Sequence, residues 1–181
     1  MKKVYNVVFF ALALLIWTSP IAFAASLEVA PAVSYHNYKD AESAVGVGIA
    51  ADVKGLFPAA PIVASFGFEN VQTEKSGVDG SINSLSVGIG YDYAVEQIAG
   101  LTIRPFGSLD FSYISADQGF DASNDIGKSL GVRAEYAISD RISLFSGFGY
   151  QWLNTTVSNS AISQEVRLDN FNLKSGVSVK F

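Results

Sequence analysis

Cysteine is absent from this 181-residue chain, and histidine and methionine each occur once. Without cysteine no disulfide can staple a small fold, so burial or sheet closure must hold it together. One histidine and no cysteine are too few soft donors for a zinc-type site, so neither metal nor cofactor is expected. Basic residues are scarce, 12 Lys and Arg against 17 Asp and Glu. That balance offers no basic face, which argues against nucleic acid as a partner. Helical periodicity is missing as well; residues 95–101 come nearest and read better as a turn. Past the first residues there is no apolar run long enough to cross a bilayer as a helix, although 49% of the chain is hydrophobic. Such a chain has to hide its apolar residues by alternation.

The amino end is a separate segment. Lys2 and Lys3 precede an apolar run from Val4 to Trp17 broken only by Asn6, and Thr18-Ser19-Pro20 ends it. Ala22-Phe23-Ala24 then gives an A-x-A exit. Charged start, short apolar core and small-residue exit describe a secretory signal peptide over residues 1–24, removed to leave a single domain over 25–181. Loss of Lys2 and Lys3 takes the 12 basic residues to 10 against 17 acidic ones, a net charge of −7.

The carboxyl end is the most informative stretch. Alternate positions read Phe171, Leu173, Ser175, Val177, Val179 and Phe181, and five of these six are apolar. Between them stand Asn172, Lys174, Gly176, Ser178 and Lys180. Period two over that length is a strand with one apolar and one wet face. A transmembrane β-strand needs about 9–11 residues, alternating, with aromatics at the interfaces.

The same alternation recurs along the chain. Strands are expected over 27–35, 44–53, 62–69, 83–93, 101–113, 129–138 and 142–152, with an eighth ending at Phe181. Pro105 lies inside the fifth and reads as a bulge or an unpaired site. Longer polar connections at 70–82, 114–128 and 153–165 alternate with shorter ones at 54–61, 94–100 and 139–141. Aromatics stand at the strand ends, Tyr35, Phe68, Tyr113, Trp152 and Phe171 at one rim and Tyr93, Tyr136 and Phe181 at the other. Aliphatics fill the middle, as a bilayer demands. A soluble barrel would put its polar face outside, but the face carrying Gly, Ser and charge here cannot line an apolar calyx. The expected fold is all-β: a closed, antiparallel, up-and-down transmembrane barrel of eight strands, which leaves no free edge.

These features together resemble the small outer-membrane β-barrel family typified by the OmpA transmembrane domain, OmpX/Ail and the opacity proteins. Phe171, Leu173, Val177, Val179 and Phe181 match that family's carboxyl-terminal assembly signal, while Ser175 departs from it. The resemblance implies the outer membrane of a Gram-negative bacterium, contact with its lipid and lipopolysaccharide, and recognition by the outer-membrane assembly machinery. It implies little about activity, because such barrels include adhesins, anchors, enzymes and small pores.

Candidate chemistry is sparse. His36 would lie at the outer end of the first strand, in a solvated loop; some enzymes of the superfamily modify lipid A with a His and a Ser near that rim, which makes His36 a weak catalytic candidate. Gly46-Val47-Gly48-Ile49-Ala50-Ala51 looks like a dinucleotide fingerprint but lies in strand alternation with no helix after it. The polar faces carry Glu28, Asp52, Glu69, Asp92, Arg104, Asp110, Arg133, Glu135, Lys174 and Lys180. Eight strands leave room for side chains and none for an open channel, so these charges must pair or be watered. Neighbouring strands suggest Asp92 and Glu135 for Arg104, and Asp110 and Glu69 for Arg133 and Lys174. The favoured reading is a non-enzymatic surface barrel plugged by these charges, with loops 70–82, 114–128 and 153–165 meeting a host, phage or matrix partner, or the whole serving as a structural component of the envelope. A lipid A-modifying enzyme using His36 and a small-solute pore are the alternatives.

Overall fold

The computed structural model describes residues 26–56, 60–75, 78–116, 121–158 and 163–181; the leader over 1–24 lies outside them. Eight long strands account for most of the fold: β1 (Ser26–Tyr38), β2 (Ala44–Lys54), β3 (Ile62–Lys75), β4 (Val78–Tyr91), β5 (Leu101–Ala116), β6 (Asp125–Ala137), β7 (Ile142–Trp152) and β8 (Asn170–Lys180). Each pairs antiparallel with its sequence neighbour, apart from the first and last, and β1 pairs with β8 to close the barrel. Pro105 does not bulge its strand. Its register with β6 runs unbroken through Pro105↔Val132. On the other side, pairing with β4 stops at Gly90↔Phe106 and resumes at Tyr93↔Ile103. The missing N–H costs one short stretch of ladder and nothing in register.

Side-chain direction follows parity. On β2, Val45, Val47 and Ile49 point outward and are exposed, while Asp52 points inward and is buried. Leu85, Val87 and Ile89 on β4 and Leu109 and Phe111 on β5 continue the outer apolar surface. Such a surface would be intolerable in water and is what hydrocarbon requires. Ser175, the exception on β8, faces outward beside Ser146 of β7, and the two hydroxyls hydrogen-bond at 2.9 Å. Each satisfies the other where lipid offers no partner.

Toward the outer end the sense of the faces reverses without any slip in register. Past Phe68↔Leu85, the outward pair becomes Asn70↔Asn83, joined by a side-chain hydrogen bond of 2.9 Å. The inward positions become Val71, Ile82 and Ile114, all buried. With Tyr38, Leu153 and Leu168 they form an apolar core inside the mouth of the barrel. The reversal marks the membrane surface: below it lipid bathes the outer face, above it water does.

Two sequence expectations change here. The stretches 70–82 and 114–128 are mostly strand rather than loop, since β3 runs to Lys75 and β4 starts at Val78, and β5 and β6 reach Ala116 and Asp125. Within 153–165, Asn154–Ser158 pairs with Ser163–Arg167 as a second ribbon, and Asp121–Ala122 joins its edge. Their polar outer residues suggested loops because the apolar face had moved inside. Val166 belongs to this ribbon, and β8 begins at Asn170. Close packing of the lumen depends on glycine; a Cβ at Gly88 would meet the carbonyl oxygen of Gly107 at 2.9 Å.

Candidate functional site in the barrel lumen

In the inner half of the lumen, parity brings Glu28 of β1, Asp52 and Lys54 of β2, Arg104 of β5, and Arg133 and Glu135 of β6 together, with Asp92 from the break after β4. Asp52 is the hub. Its Oδ2 accepts from Arg104 Nη1 at 2.6 Å and from Arg133 Nη1 at 2.9 Å, and its Oδ1 accepts from Ser65 at 2.7 Å. In the closed strand order β6 stands diametrically opposite β2, so the Arg133–Asp52 pair spans the barrel. Arg104 also grips Asp92, with Nε donating to Oδ1 at 2.5 Å and Nη2 to Oδ2 at 3.1 Å. Glu135 lies 3.7 Å from Arg104 and 3.1 Å from Arg133. Lys54 completes the group, 2.8 Å from Glu28 and 3.4 Å from Asp92. Arg133 further stacks its guanidinium 3.9 Å from the centroid of Phe145. Arg104 is 2% exposed and Asp52 1%, so water does not separate these charges.

The pairing of Arg133 with Asp110 or Glu69 is therefore corrected. Asp110 sits higher and takes neutral donors instead: Ser108 at 3.0 Å, Gln151 at 3.0 Å and Ser129. Lys174 takes Glu69 at 3.2 Å. Adjacent strands were the wrong guide for Arg133, because in so narrow a barrel a guanidinium reaches the far wall. Asp52 was placed on the polar face by its parity, yet its place at the centre, and the parts played by Lys54, Asn170 and Gln151, were missed. Parity would have found them; only closure told which strands meet across the axis.

His36 is not in a solvated loop. Strand β1 continues to Tyr38, so His36 keeps inward parity and is 3% exposed. Its Nδ1 donates to Asn170 Oδ1 at 3.1 Å; the Asn170 amide is oriented by donating from Nδ2 to Gln151 at 2.9 Å and to the Leu168 carbonyl at 3.0 Å. Nε2 lies 3.0 Å from Ser34 Oγ and 3.3 Å from Glu69 Oε1. Ser34 itself donates to Glu69 at 2.5 Å. A serine, a histidine and a carboxylate thus meet, but the serine hydroxyl points at the carboxylate, and Tyr38 stacks over the imidazole at 5.6 Å. A cavity of about 70 Å³ adjoins this group, bounded by Asp110, Gln151 and Lys174. A second, of about 140 Å³, separates it from Arg104 and Arg133 below. The smaller is walled mainly by polar groups; the larger is mixed, with Phe106 and Phe145 alongside Asp52, Arg104 and Arg133, and both are large enough for water. Among the described residues no three His, Cys, Asp or Glu side chains converge on a metal-sized site.

Phe171, Leu173, Val177 and Phe181 face outward on and just past β8, and Val179 shares their parity. The Phe181 amide donates to the Leu27 carbonyl at 2.9 Å, which ties the end of the chain to β1.

No family model matches the chain, and no curated protein matches it. Solved structures do. Neisserial surface protein A aligns with a TM-score of 0.67 at 16% identity, covering 87% of this chain and 97% of its own. A major outer membrane protein from Thermus thermophilus aligns at 0.65 and 15%, covering 88% and 100%. The outer membrane protein OprG from Pseudomonas aeruginosa aligns at 0.67 and 10%, covering 87% and 96%. At these identities the likeness is one of fold, and the fold is that of the small outer-membrane β-barrels.

Proposed function

We propose that this outer-membrane-type barrel is a non-enzymatic surface protein of a Gram-negative outer membrane. Residues 1–24 export it, the assembly machinery reads Phe171, Leu173, Val177, Val179 and Phe181, and the outer ribbons over 70–82, 114–128 and 153–165 meet a partner outside the cell. The observation that carries this reading is the double closure of the lumen. Arg104 and Arg133 tie opposite walls through Asp52, and an apolar core around Ile82, Ile114 and Leu153 stoppers the outer mouth. Burying side chains of this size is favourable by about 1.5–3 kcal/mol each, so the stopper is a folded core rather than a flap.

The enzyme alternative loses its support from position. His36 lies beneath Tyr38 and inside the wall, away from the lipid that such an enzyme would need to reach. The pore alternative is opposed by the same two closures. Three measurements test the reading. Purified protein in planar bilayers is expected to show no steady conductance, and cells expressing His36→Ala are expected to give lipid A of unchanged mass. Shortening the 154–167 ribbon is expected to abolish surface binding while heat-modifiable gel migration persists. A single-channel current from the unaltered protein would overturn the plugged-lumen reading.

A further inference from the structure

The outward positions of the apolar belt carry aliphatic and aromatic side chains almost throughout. Gly107, Lys128 and the Ser146–Ser175 pair stand apart, and among the described residues Lys128 is the one charge there. Lys128 is exposed on the outer part of β6, between Leu109 of β5 and Trp152 of β7. Among the described residues no carboxylate pairs with it. Its ammonium instead lies 5.8 Å from the centroid of the Trp152 ring, a distance at which the ring face attracts a cation.

One residue pair further toward the inner side, the outward row reads Ile89↔Gly107↔Leu130. The glycine removes the middle side chain and leaves a groove on the barrel wall, lined by Val87, Ile89, Leu109, Leu130, Lys128 and Trp152. Glycine within a strand weakens it and commonly marks a close approach by another group. A cation above an apolar slot, both facing lipid at the outer rim, matches one kind of ligand: an anionic headgroup carried on an acyl chain.

We infer that this groove is a binding site for a phosphorylated glycolipid of the outer leaflet, with a phosphate on Lys128 and one acyl chain lying over Gly107. The inference rests on the outer-membrane reading and adds to it a specific lipid site. Lysine is a point-charge partner for phosphate, the Trp152 ring face adds to the attraction on the ammonium, and a bound phosphate would offset the cost of carrying this charge on the lipid face, which falls toward about 0–1 kcal/mol near the interface. Chain and headgroup bind through different parts of the site, so either can be removed alone.

Trp152 is also the reporter. In the full chain carrying Trp17→Phe it is the only tryptophan. The protein is folded into vesicles of dibrominated phosphatidylcholine, which quench it, and bis-phosphorylated hexa-acyl lipid A is added. Relief of quenching at low mole fraction is expected. Lys128→Gln should raise the fraction required about tenfold, the equivalent of one charge-assisted hydrogen bond. Gly107→Leu, whose new side chain fills the slot, should raise it as well, and lipid A stripped of phosphate should behave on the parent protein as intact lipid A does on Lys128→Gln. Identical titrations for parent and both variants would overturn the site. Equal relief by phosphatidylglycerol would overturn the choice of a glycolipid. Absence of any quenching by the brominated vesicles would mean that Trp152 does not face lipid, and the barrel's placement in a membrane would fall with the site.

Discussion

Replacing Arg104 by alanine probes the lumen most directly. The inner cluster holds four carboxylates (Glu28, Asp52, Asp92 and Glu135) and three cations (Lys54, Arg104 and Arg133). Removing Arg104 takes its net charge from −1 to −2. Breaking a buried ion pair typically costs about 3–5 kcal/mol, because the abandoned partner stays buried and charged. Here each abandoned group keeps a second cation: Asp52 retains Arg133 at 2.9 Å, and Asp92 retains Lys54 at 3.4 Å. The neighbouring cavity of about 140 Å³ also lets water approach. The expected loss is therefore at or just below the lower end of that range, about 2–3 kcal/mol. Urea unfolding in lipid vesicles, followed by Trp152 emission, measures it. Double-mutant cycles then rank the partners. Arg104 with Asp92→Asn and with Asp52→Asn should couple by about 1 kcal/mol or more, and Arg104 with Glu135→Gln by less, since those charges stand 3.7 Å apart. An Arg104→Ala protein as stable as the parent, or coupling strongest to Glu135, would refute the geometry.

Three further outcomes are expected. Val87→Arg should cost about 2–4 kcal/mol near mid-membrane, against little for the inward Ser86→Ala, measured by the same urea unfolding. Ser175→Ala should cost about 0.5–1.5 kcal/mol by stranding Ser146, while Ser146→Ala with Ser175→Ala should restore most of it, read from the same urea transitions. Deleting Phe181, which also removes its bond to Leu27, should leave exported protein that is protease-sensitive and migrates identically with and without heating.

The eight strands were legible because a membrane barrel forces each residue to declare a face, and period two records that choice directly. The outer ribbons were not, because above the membrane the same period carries the opposite meaning: Asn70, Gln72 and Glu74 look like loop only if the apolar side is assumed to be outside. His36 was misplaced by ending β1 at Tyr35, three residues early. The partners of Arg133 and Asp110 depended on distances across the axis, which alternation along the chain does not encode.

The reversal of faces between Phe68 and Asn70 also constrains how such a protein can change length. The two halves share one uninterrupted register but obey opposite solvents. Adding a single residue to a strand near that boundary would turn everything on one side of it inside out at once. Two residues in each of two paired strands would only raise the outer half by a step. Outer segments of this kind can therefore lengthen or shorten in pairs while the lipid-embedded half stays untouched, and comparative sequences should show even-numbered gaps there and almost no odd ones.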